Sequence, residues 1–336
     1  MKTVLAVLAL IFFSSLAGCG TSGGGKTLLT VDFRSGETLR YRFVTDRQTE
    51  VDWGPVKGAS QSSQNKGHKI DKFADLMDMV VSYTPVEVDP YGSTTIKATC
   101  ESIKIKRGQA KGRADSARDP VETIAGKSFN FTVGPTGKIQ DYSQMESLIQ
   151  QAGEKAFRTS TKDGRIKDPD MTDDFICTQW FLWDAVSSIE QPLKGLNISD
   201  SWNSMLSVPT QMVLRKARTV TYTLDEIRQT DQGRIAVISS SYGPAESVPA
   251  TWPVAYKGPG FMVSGTFGFL QGYKTAELKG SGEELFNIDL GRTEKYNQQY
   301  EMRLRCHLPM GLGGVIPITV RQKISMQLLP QDNKSQ

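Results

Sequence analysis

The chain has 336 residues, of which 38% are hydrophobic and 23% are charged. This composition is typical of a globular protein and excludes a wholly disordered, collagen-like or low-complexity chain. The 40 basic and 36 acidic side chains leave a net charge of +4, a surplus too small to indicate a nucleic-acid-binding surface.

Residues 1–18 have the organisation of a secretory signal peptide. Lys2 provides a positive start, and the apolar run from Val4 to Phe13 is too short to span a bilayer. The segment leads into Leu16-Ala17-Gly18-Cys19, which resembles the lipobox of bacterial lipoproteins. The resemblance implies cleavage before Cys19 and attachment of palmitate or similar acyl chains to its thiol.

The lipobox also implies a location in the bacterial cell envelope. Two or three acyl chains hold a protein stably on a membrane, since each buried CH₂ contributes about 0.8 kcal/mol. Cys19 is followed by Gly20, not by the Asp that retains many lipoproteins at the inner membrane. The resemblance therefore implies the outer membrane, with the protein facing the periplasm. Residues 19–26 comprise the lipidated Cys19 and a Gly-rich flexible tether.

Most of the remaining chain predicts β-strands. Residues 27–142 and 195–330 contain alternating or β-branched runs, punctuated by turns such as Asp89 to Gly92 and Thr230 to Gly233. We expect a mainly β fold of the α+β class, built from two antiparallel β-rich halves. The strands can form one long curved sheet or two sandwiched sheets. Residues 331–336 form a tail.

Residues 143–194 predict a helical connector between the halves. Tyr142 to Phe157 and Thr172 to Glu190 carry apolar residues at helical spacing, so we expect two helices packed on one face of the β structure. Trp180 and Trp183 lie three positions apart and project in similar directions. They belong either to the core or to the wall of a hydrophobic-ligand pocket.

Polar segments predict surface loops and turns. Gly54 to Lys72, which contains His68, and Lys106 to Asp119 have few apolar residues and are expected to be poorly packed loops. The pair Glu283-Glu284 is expected in a solvated turn.

The two β-rich halves show an internal sequence similarity, which predicts a duplication. Shared Phe, Asn, Tyr, Gly, Thr and Lys residues align Gly36 to Leu39 with Ser199 to Trp202, Val81 to Thr84 with Val220 to Thr223, and Phe129 to Ile139 with Phe286 to Tyr296. On this alignment Asn130 and Gly134 correspond to Asn287 and Gly291.

No arrangement of residues predicts catalysis, a metal or a cofactor. Cys306 and His307 are neighbours in a predicted strand, so their side chains point to opposite faces and cannot form a catalytic pair. The sequence has no His-Glu-x-x-His motif. We therefore expect a protein that is not an enzyme and has no cofactor.

The cysteines leave one alternative open. Cys100 and Cys306 lie in predicted strands, one in each half, and in an oxidising envelope they can form a disulfide or remain free.

An aromatic and Gly-rich segment, Trp252 to Tyr273, also has two interpretations. Its large side chains either pack in the core beside close-packed glycines or line a site for a hydrophobic ligand. The candidates are Trp252, Phe261, Phe267 and Phe269.

The mature region is similar to a group of β-rich bacterial envelope lipoproteins of unknown function. The similarity rests on Gly36 to Phe43 and on Pro192 to Trp202, and it implies no catalytic residue. We expect a membrane-anchored lipoprotein with a non-enzymatic binding or structural role. The alternative is a carrier that holds a lipid or other hydrophobic ligand between a curved sheet and helices. Expected partners are the membrane, and either a hydrophobic ligand or an envelope protein, but not nucleic acid.

Overall fold

The structure is a computed structural model that describes the larger part of the β-rich regions. The described residues are 25–55, 68–109, 122, 124–134, 139–141, 143–144, 147, 194–208, 216–248, 270–308 and 314–330. Among them, no helix has the length and apolar character needed to cross a membrane.

The described residues form eleven β-strands in one antiparallel sheet. The strands are β1 (Leu39–Pro55), β2 (His68–Val88), β3 (Thr94–Gln109), β4 (Ser128–Val133), β5 (Ile139–Asp141), β6 (Ser201–Ser207), β7 (Ala217–Thr230), β8 (Gly233–Pro244), β9 (Gln271–Asn287), β10 (Arg292–His307) and β11 (Val315–Leu328). A mainly antiparallel β fold was predicted, and it is confirmed. Of the two arrangements left open by the sequence, the strands adopt the single sheet.

The strand order is β5-β4-β3-β2-β1-β11-β10-β9-β8-β7-β6. The chain therefore moves outward from the centre to one edge through β1 to β5. It resumes at the other edge with β6 and returns strand by strand to β11. The first and last strands pair in the middle of the sheet, where Phe43 lies opposite Met326.

The two faces of the sheet differ in burial because successive side chains point to opposite sides. On the core face, Phe43, Met79 and Met302 have no exposed surface. One cluster of buried apolar side chains extends through both halves of the chain, so the halves share a core. The outer face carries the alternating polar side chains, including the partly exposed Arg40 and the exposed Lys295.

An N-terminal strap, residues 27–38, runs along one end of the sheet. Thr27 and Leu196 exchange two backbone hydrogen bonds of 2.8 Å, and the Asp32 amide donates to the Gly291 carbonyl at 2.9 Å. Leu29 of the strap is buried in the core. We call the end of the sheet along which residues 27–38 run the strap end. Strands β1, β8 and β10 begin at this end, and β11 ends there. The opposite end is the far end.

The predicted loops are shorter than expected, and this is a correction. β1 continues to Pro55, β2 begins at His68 and β3 continues to Gln109. The pairs Asp52↔Ile70 and Phe73↔Gln109 extend the ladder into segments of polar composition. Backbone hydrogen bonds require no apolar side chain, so a strand at a sheet margin can be missed by a hydrophobic pattern.

The predicted helical connector lies almost entirely outside the described residues. Of the helix expected over Tyr142 to Phe157, only Ser143, Gln144 and Ser147 are described, and they are helical. The helix expected over Thr172 to Glu190 falls wholly outside the described residues.

Strands β1 to β5 and β6 to β10 follow the same order, each as a meander. Leu39 pairs with Tyr83, and at the aligned positions Trp202 pairs with Tyr222. A hydroxyl–hydroxyl hydrogen bond lies next to each of these pairs at aligned positions. The Thr38 and Thr84 hydroxyl oxygens are 2.9 Å apart, and those of Ser201 and Thr223 are also 2.9 Å apart.

The turns that precede β1 and β6 also match. Glu37 N donates to the Arg34 carbonyl and Asp200 N to the Asn197 carbonyl, each at 3.0 Å. Gly36 has φ of 81° and the aligned Ser199 has φ of 74°, so both adopt the left-handed region that favours glycine. Ser199 is the single non-Gly residue with positive φ in the described part of the chain.

The second aligned motif agrees less closely. Phe129 and Phe286 are both buried, and they lie opposite Ala98 and Ala236 respectively. However, β4 ends directly before Gly134, whereas β9 ends four residues before Gly291. The predicted match of the two glycines at equivalent strand ends is therefore only approximate.

Candidate functional site

A cavity of about 950 Å³ lies at the strap end of the sheet. The start of β1 and the preceding turn form one wall, and the β9–β10 turn and the end of β11 form the others. The lining residues are Gly36, Glu37, Thr38, Leu39, Arg40, Gln232, Leu290, Arg292, Glu294, Lys295, Gln327, Leu328, Leu329 and Pro330. The volume is within the range of small-molecule sites.

Charged side chains on one wall of the cavity form an ion-pair network. Arg292 donates through Nη1 to Glu37 Oε1 at 2.7 Å and through Nε to Glu294 Oε1 at 3.1 Å. Asn287, fully buried, donates to the same Glu294 oxygen at 3.3 Å. Both carboxylates thus accept hydrogen bonds from one guanidinium, an arrangement that suits them to holding the wall and to binding.

Arg40 and Lys295 add two further cations to the lining. Arg40 Nη2 donates to Glu101 Oε2 at 2.8 Å, and Arg40 Nε lies 3.0 Å from each oxygen of the same carboxylate. Lys295 lies opposite Gln327 and is exposed. The charge of Arg40 is therefore balanced by Glu101, whereas Lys295 places an exposed ammonium group next to the Arg292 network.

Apolar residues line another part of the cavity. Leu39 belongs to the core cluster, and Leu328 packs against it. The remaining apolar lining residues are Leu290, Leu329 and Pro330. The cavity therefore offers an apolar surface beside charged hydrogen-bonding groups, an arrangement that suits an amphipathic ligand.

Buried polar groups support the cavity from the core side. The Tyr41 hydroxyl donates to the Thr293 carbonyl at 2.9 Å, and burial raises the pKa of Tyr41 well above its ordinary value. The Thr293 hydroxyl in turn donates to Glu284. Burial raises the pKa of the Glu284 carboxyl to about 8, so this side chain is mostly protonated at neutral pH.

The location of Glu284 corrects the solvated turn expected for Glu283-Glu284. Both residues lie inside β9, with Glu283 exposed and Glu284 only 1% exposed. Alternation along the strand sends one side chain to each face. The sequence did not signal this burial, because charged residues are rarely placed in a core.

A polar row crosses the core face near its middle. In successive paired positions it contains Tyr242, Gly280, Tyr300, Gln322, Arg47 and Asp75. Tyr300 donates to Gln322, and Arg47 donates to Asp75 at 2.9 Å.

Arg218 joins this row from β7. Its guanidinium lies 4.7 Å from the ring centroid of Tyr242 and 5.4 Å from that of Tyr300, and the residue has no exposed surface. Tyr242 also shares a hydrogen bond of 2.9 Å with the Tyr296 hydroxyl. These contacts link β7, β8 and β10, so the row stabilises the alignment of the strands.

The two candidate cysteines are free and buried, and the alternative disulfide is not formed. Cys100 lies in β3 and Cys306 in β10, and strands β2, β1 and β11 separate them in the sheet. Burial raises the pKa of the Cys100 thiol to about 12 and that of Cys306 to about 11. Both thiols are therefore protonated and unreactive at neutral pH.

The other candidate residues predicted from the sequence lie outside the described residues. They are Cys19, Trp180, Trp183, Trp252, Phe261, Phe267 and Phe269. The cavity instead draws on Glu37, Arg292 and Glu294, which the sequence did not single out. Glu37 and Arg292 are 255 residues apart, and neither carries a motif that would have linked them.

Within the described residues, no group of three or more His, Cys, Asp and Glu side chains could hold a metal ion.

Comparisons with known proteins place the chain in no family. No family model matches it, and no curated protein matches it. A solved structure of lipovitellin, described by its lipid–protein interactions, is similar to this chain with a TM-score of 0.41 and 10% sequence identity. The similarity covers 90% of this chain and 27% of the lipovitellin chain, so the chain spans about a quarter of that protein.

Proposed function

We propose that this protein is a lipoprotein of the bacterial cell envelope, anchored to the outer membrane through Cys19, that binds a ligand without reacting with it. The lipobox-like Leu16-Ala17-Gly18-Cys19 supports the anchor. The cavity at the strap end, with its charged and apolar walls, supports the binding role. The ligand class that suits such walls is an amphiphile with a polar or ionic head.

The observation that carries the proposal is the continuity of the tether, the strap and the cavity wall. The strap begins at Thr27, eight residues after Cys19, and its last residues line the cavity. An extended chain reaches at most about 3.6 Å per residue, so eight residues span roughly 29 Å. An acylated Cys19 would hold the strap end close to the membrane surface.

The charged wall favours binding over catalysis. Glu37 and Glu294 both accept hydrogen bonds from Arg292. A general base needs a free lone pair directed at the substrate. Carboxylates held by a guanidinium are instead suited to fixing the wall and orienting the head of a ligand.

A second candidate function is the carriage of a lipid or other hydrophobic ligand. The apolar part of the lining favours it, since Leu39, Leu290 and Leu328 present side chains to a space large enough for an acyl chain. A carrier must release its ligand, whereas a binding protein without a transfer role retains it.

Native mass spectrometry of the full-length protein extracted from its own membrane tests the binding role. We expect the wild type to carry a bound amphiphile of low mass. The occupancy of this ligand should fall when Leu329→Trp fills part of the cavity. Leu76→Trp, at an exposed position of β2 away from the cavity, is the matched control. Equal occupancy in both variants, or none in the wild type, would contradict binding at this cavity. Transfer of the ligand to acceptor vesicles would favour the carrier over simple binding.

We also propose that β1 to β5 and β6 to β10 descend from one repeated unit. Their common strand order, the aligned pairs Leu39↔Tyr83 and Trp202↔Tyr222, and the matched turns at Gly36 and Ser199 support this proposal.

A further inference from the structure

In the described part of the chain, five of the eight exposed large apolar side chains lie at the strap end. In the β2–β3 hairpin, Tyr91 is 88% exposed, Val86 is 53% exposed and Val88 is 46% exposed. Near the other edge of the sheet, Leu28 is 57% exposed and Ile198 is 55% exposed. An exposed apolar residue is ordinary when it stands alone, but a group at one end of a molecule marks a contact surface.

The hairpin is a fixed platform for its apolar side chains. Asp89 N donates to the Ser93 carbonyl at 2.8 Å and Gly92 N to the Asp89 carbonyl at 3.0 Å. Gly92 has φ of 88°, which a glycine adopts without strain. The Asp89 carboxylate also accepts a hydrogen bond from the Tyr91 amide. The tip is closed by its own hydrogen bonds, and Tyr91 projects from it into solvent.

The second apolar position is equally well held. The backbone bridge between Thr27 and Leu196 brings the strap beside the segment that precedes β6. Leu28 and Ile198 follow the two bridged residues closely in sequence. Strands β1, β11, β10, β9, β8 and β7 lie between this position and the hairpin. Two separated contacts of this kind would fix the orientation of the sheet on a flat surface.

Three arginines near the strap end pair with carboxylates. Arg34 pairs with Asp32 at 3.2 Å and Arg234 with Asp289 at 2.6 Å, and Arg292 is held by its two glutamates. The charges of these three arginines are therefore balanced locally, and the exposed apolar and aromatic side chains remain available for contact. Tyr is favoured at membrane–water interfaces, where its ring lies in the apolar region and its hydroxyl stays in water.

We propose that Val86, Val88 and Tyr91, together with Leu28 and Ile198, dock the strap end onto the bilayer that carries the acyl anchor. The inference rests on the proposed anchor at Cys19, because the short tether from Cys19 to Thr27 selects the bilayer as the occupant of this surface. Docking holds the sheet upright, with the far end directed away from the membrane and the cavity close to it.

An environment-sensitive fluorophore at the hairpin tip tests the proposal. Tyr91→Cys is labelled with the dye NBD in the full-length protein. The protein also carries Cys177→Ser, which removes the one cysteine besides Cys19, Cys100 and Cys306, and it is reconstituted into phosphatidylcholine vesicles. Cys100 and Cys306 are buried and should stay unlabelled. The matched control is Val315→Cys, a 53% exposed apolar position at the far end. We expect a severalfold rise in emission at position 91, quenching there by spin-labelled lipid, and neither effect at position 315.

Metabolic labelling with radioactive palmitate separates failure of the anchor from failure of docking. Label incorporated into the protein without quenching at position 91 would overturn docking and leave the anchor standing. Absence of label would overturn the anchor, and the docking proposal with it. A rise at position 91 without vesicles that increases with protein concentration would assign the surface to a second copy and overturn membrane docking. Quenching that persists in about 1 M salt, where the Debye length is near 3 Å, would support an apolar contact.

Discussion

The Arg292 guanidinium and the Glu37 carboxylate are 255 residues apart in the chain and 2.7 Å apart in space. The pair joins the strap to the start of β10, and both side chains are less than a third exposed. Because Arg292 also donates to Glu294, one side chain joins two segments of the cavity wall: the turn before β1 and the start of β10.

Arg292→Gln should destabilise the protein measurably. Loss of hydrogen bonds to charged groups typically costs about 1.5–3 kcal/mol, and the substitution leaves two carboxylates without their cation. In a chain of this size each kcal/mol lowers the melting temperature by roughly 2–4 °C. Urea unfolding followed by circular dichroism measures the change.

Arg234→Gln is the matched control for the Arg292 pair. Arg234 also bonds a carboxylate, that of Asp289 at 2.6 Å, but its side chain is 51% exposed. An ion pair that accessible to water contributes about 0–1 kcal/mol. Equal losses in the two variants would show that burial at the cavity wall adds nothing to the Arg292 network.

Gly280→Ala should destabilise the sheet through steric overlap. A Cβ at this position would lie 2.6 Å from Tyr300 Cβ and 2.8 Å from Tyr242 Cδ2, and would also clash with the Gln299 carbonyl. Overpacking of a closed core costs about 1–3 kcal/mol. Gly314→Ala, which has no atom within 4 Å of the added Cβ, is the control. An unchanged free energy of unfolding for Gly280→Ala would mean that the polar row adjusts freely.

The sequence predicted the β class and most strand positions because alternation follows directly from burial of one face. Phe129, Phe131 and Val133 alternate in the sequence, and all three are buried in β4. The sequence analysis missed the extensions of β1, β2 and β3 because backbone hydrogen bonds to neighbouring strands hold them. A local sequence pattern does not indicate which strand will be the neighbour.

The candidate site could not be predicted for a related reason. Glu37 and Arg292 meet because the last strand returns to the first, and this pairing of β1 with β11 is a property of topology. Glu284 likewise is buried because its position in β9 directs its side chain to the core face, whereas that of its neighbour Glu283 faces water. A one-residue shift in the register of β9 would bury Glu283 and expose Glu284.

Glu284 should make the protein less stable as the pH rises. Burial raises its folded-state pKa to about 8 from an ordinary value of 4.5. The native state thus binds the proton more tightly than the unfolded state, and its contribution to stability is complete at low pH. That contribution is lost between about pH 4.5 and pH 8, on the order of 5 kcal/mol in total.

Glu284→Gln tests this pH dependence. The amide oxygen can still accept the Thr293 hydrogen bond, and the side chain cannot ionise. Urea unfolding at several pH values should show a smaller decline for the variant than for the wild type, with the largest difference above about pH 8. Parallel pH profiles for the two proteins would assign the decline to other groups.

Cys19→Ala should abolish acylation. The thiol is the atom to which the acyl chain would be attached, and alanine offers no nucleophile in its place. Radioactive palmitate should label the wild type and not the variant, and the variant should retain its signal segment or appear in the soluble fraction. Cys100→Ala, which alters a buried thiol, should leave the label unchanged. Equal labelling of wild type and Cys19→Ala would contradict the lipoprotein proposal.

Ser199 and Gly36 provide a test of the repeat through backbone strain. Both residues are exposed and have positive φ in matching turns, but only Gly36 avoids the Cβ penalty of the left-handed region, which is about 1–2 kcal/mol. Ser199→Gly should therefore stabilise the protein, and Gly36→Ala should destabilise it by a similar amount. No atom lies within 4 Å of a Cβ built at Gly36, so backbone strain is the only cost there.

If the turns are equivalent copies, the combined variant should have nearly wild-type stability, because the sites are far apart in the sheet and their effects should add. A loss of stability in Ser199→Gly would mean that the serine side chain has its own role, and that the two turns are not equivalent.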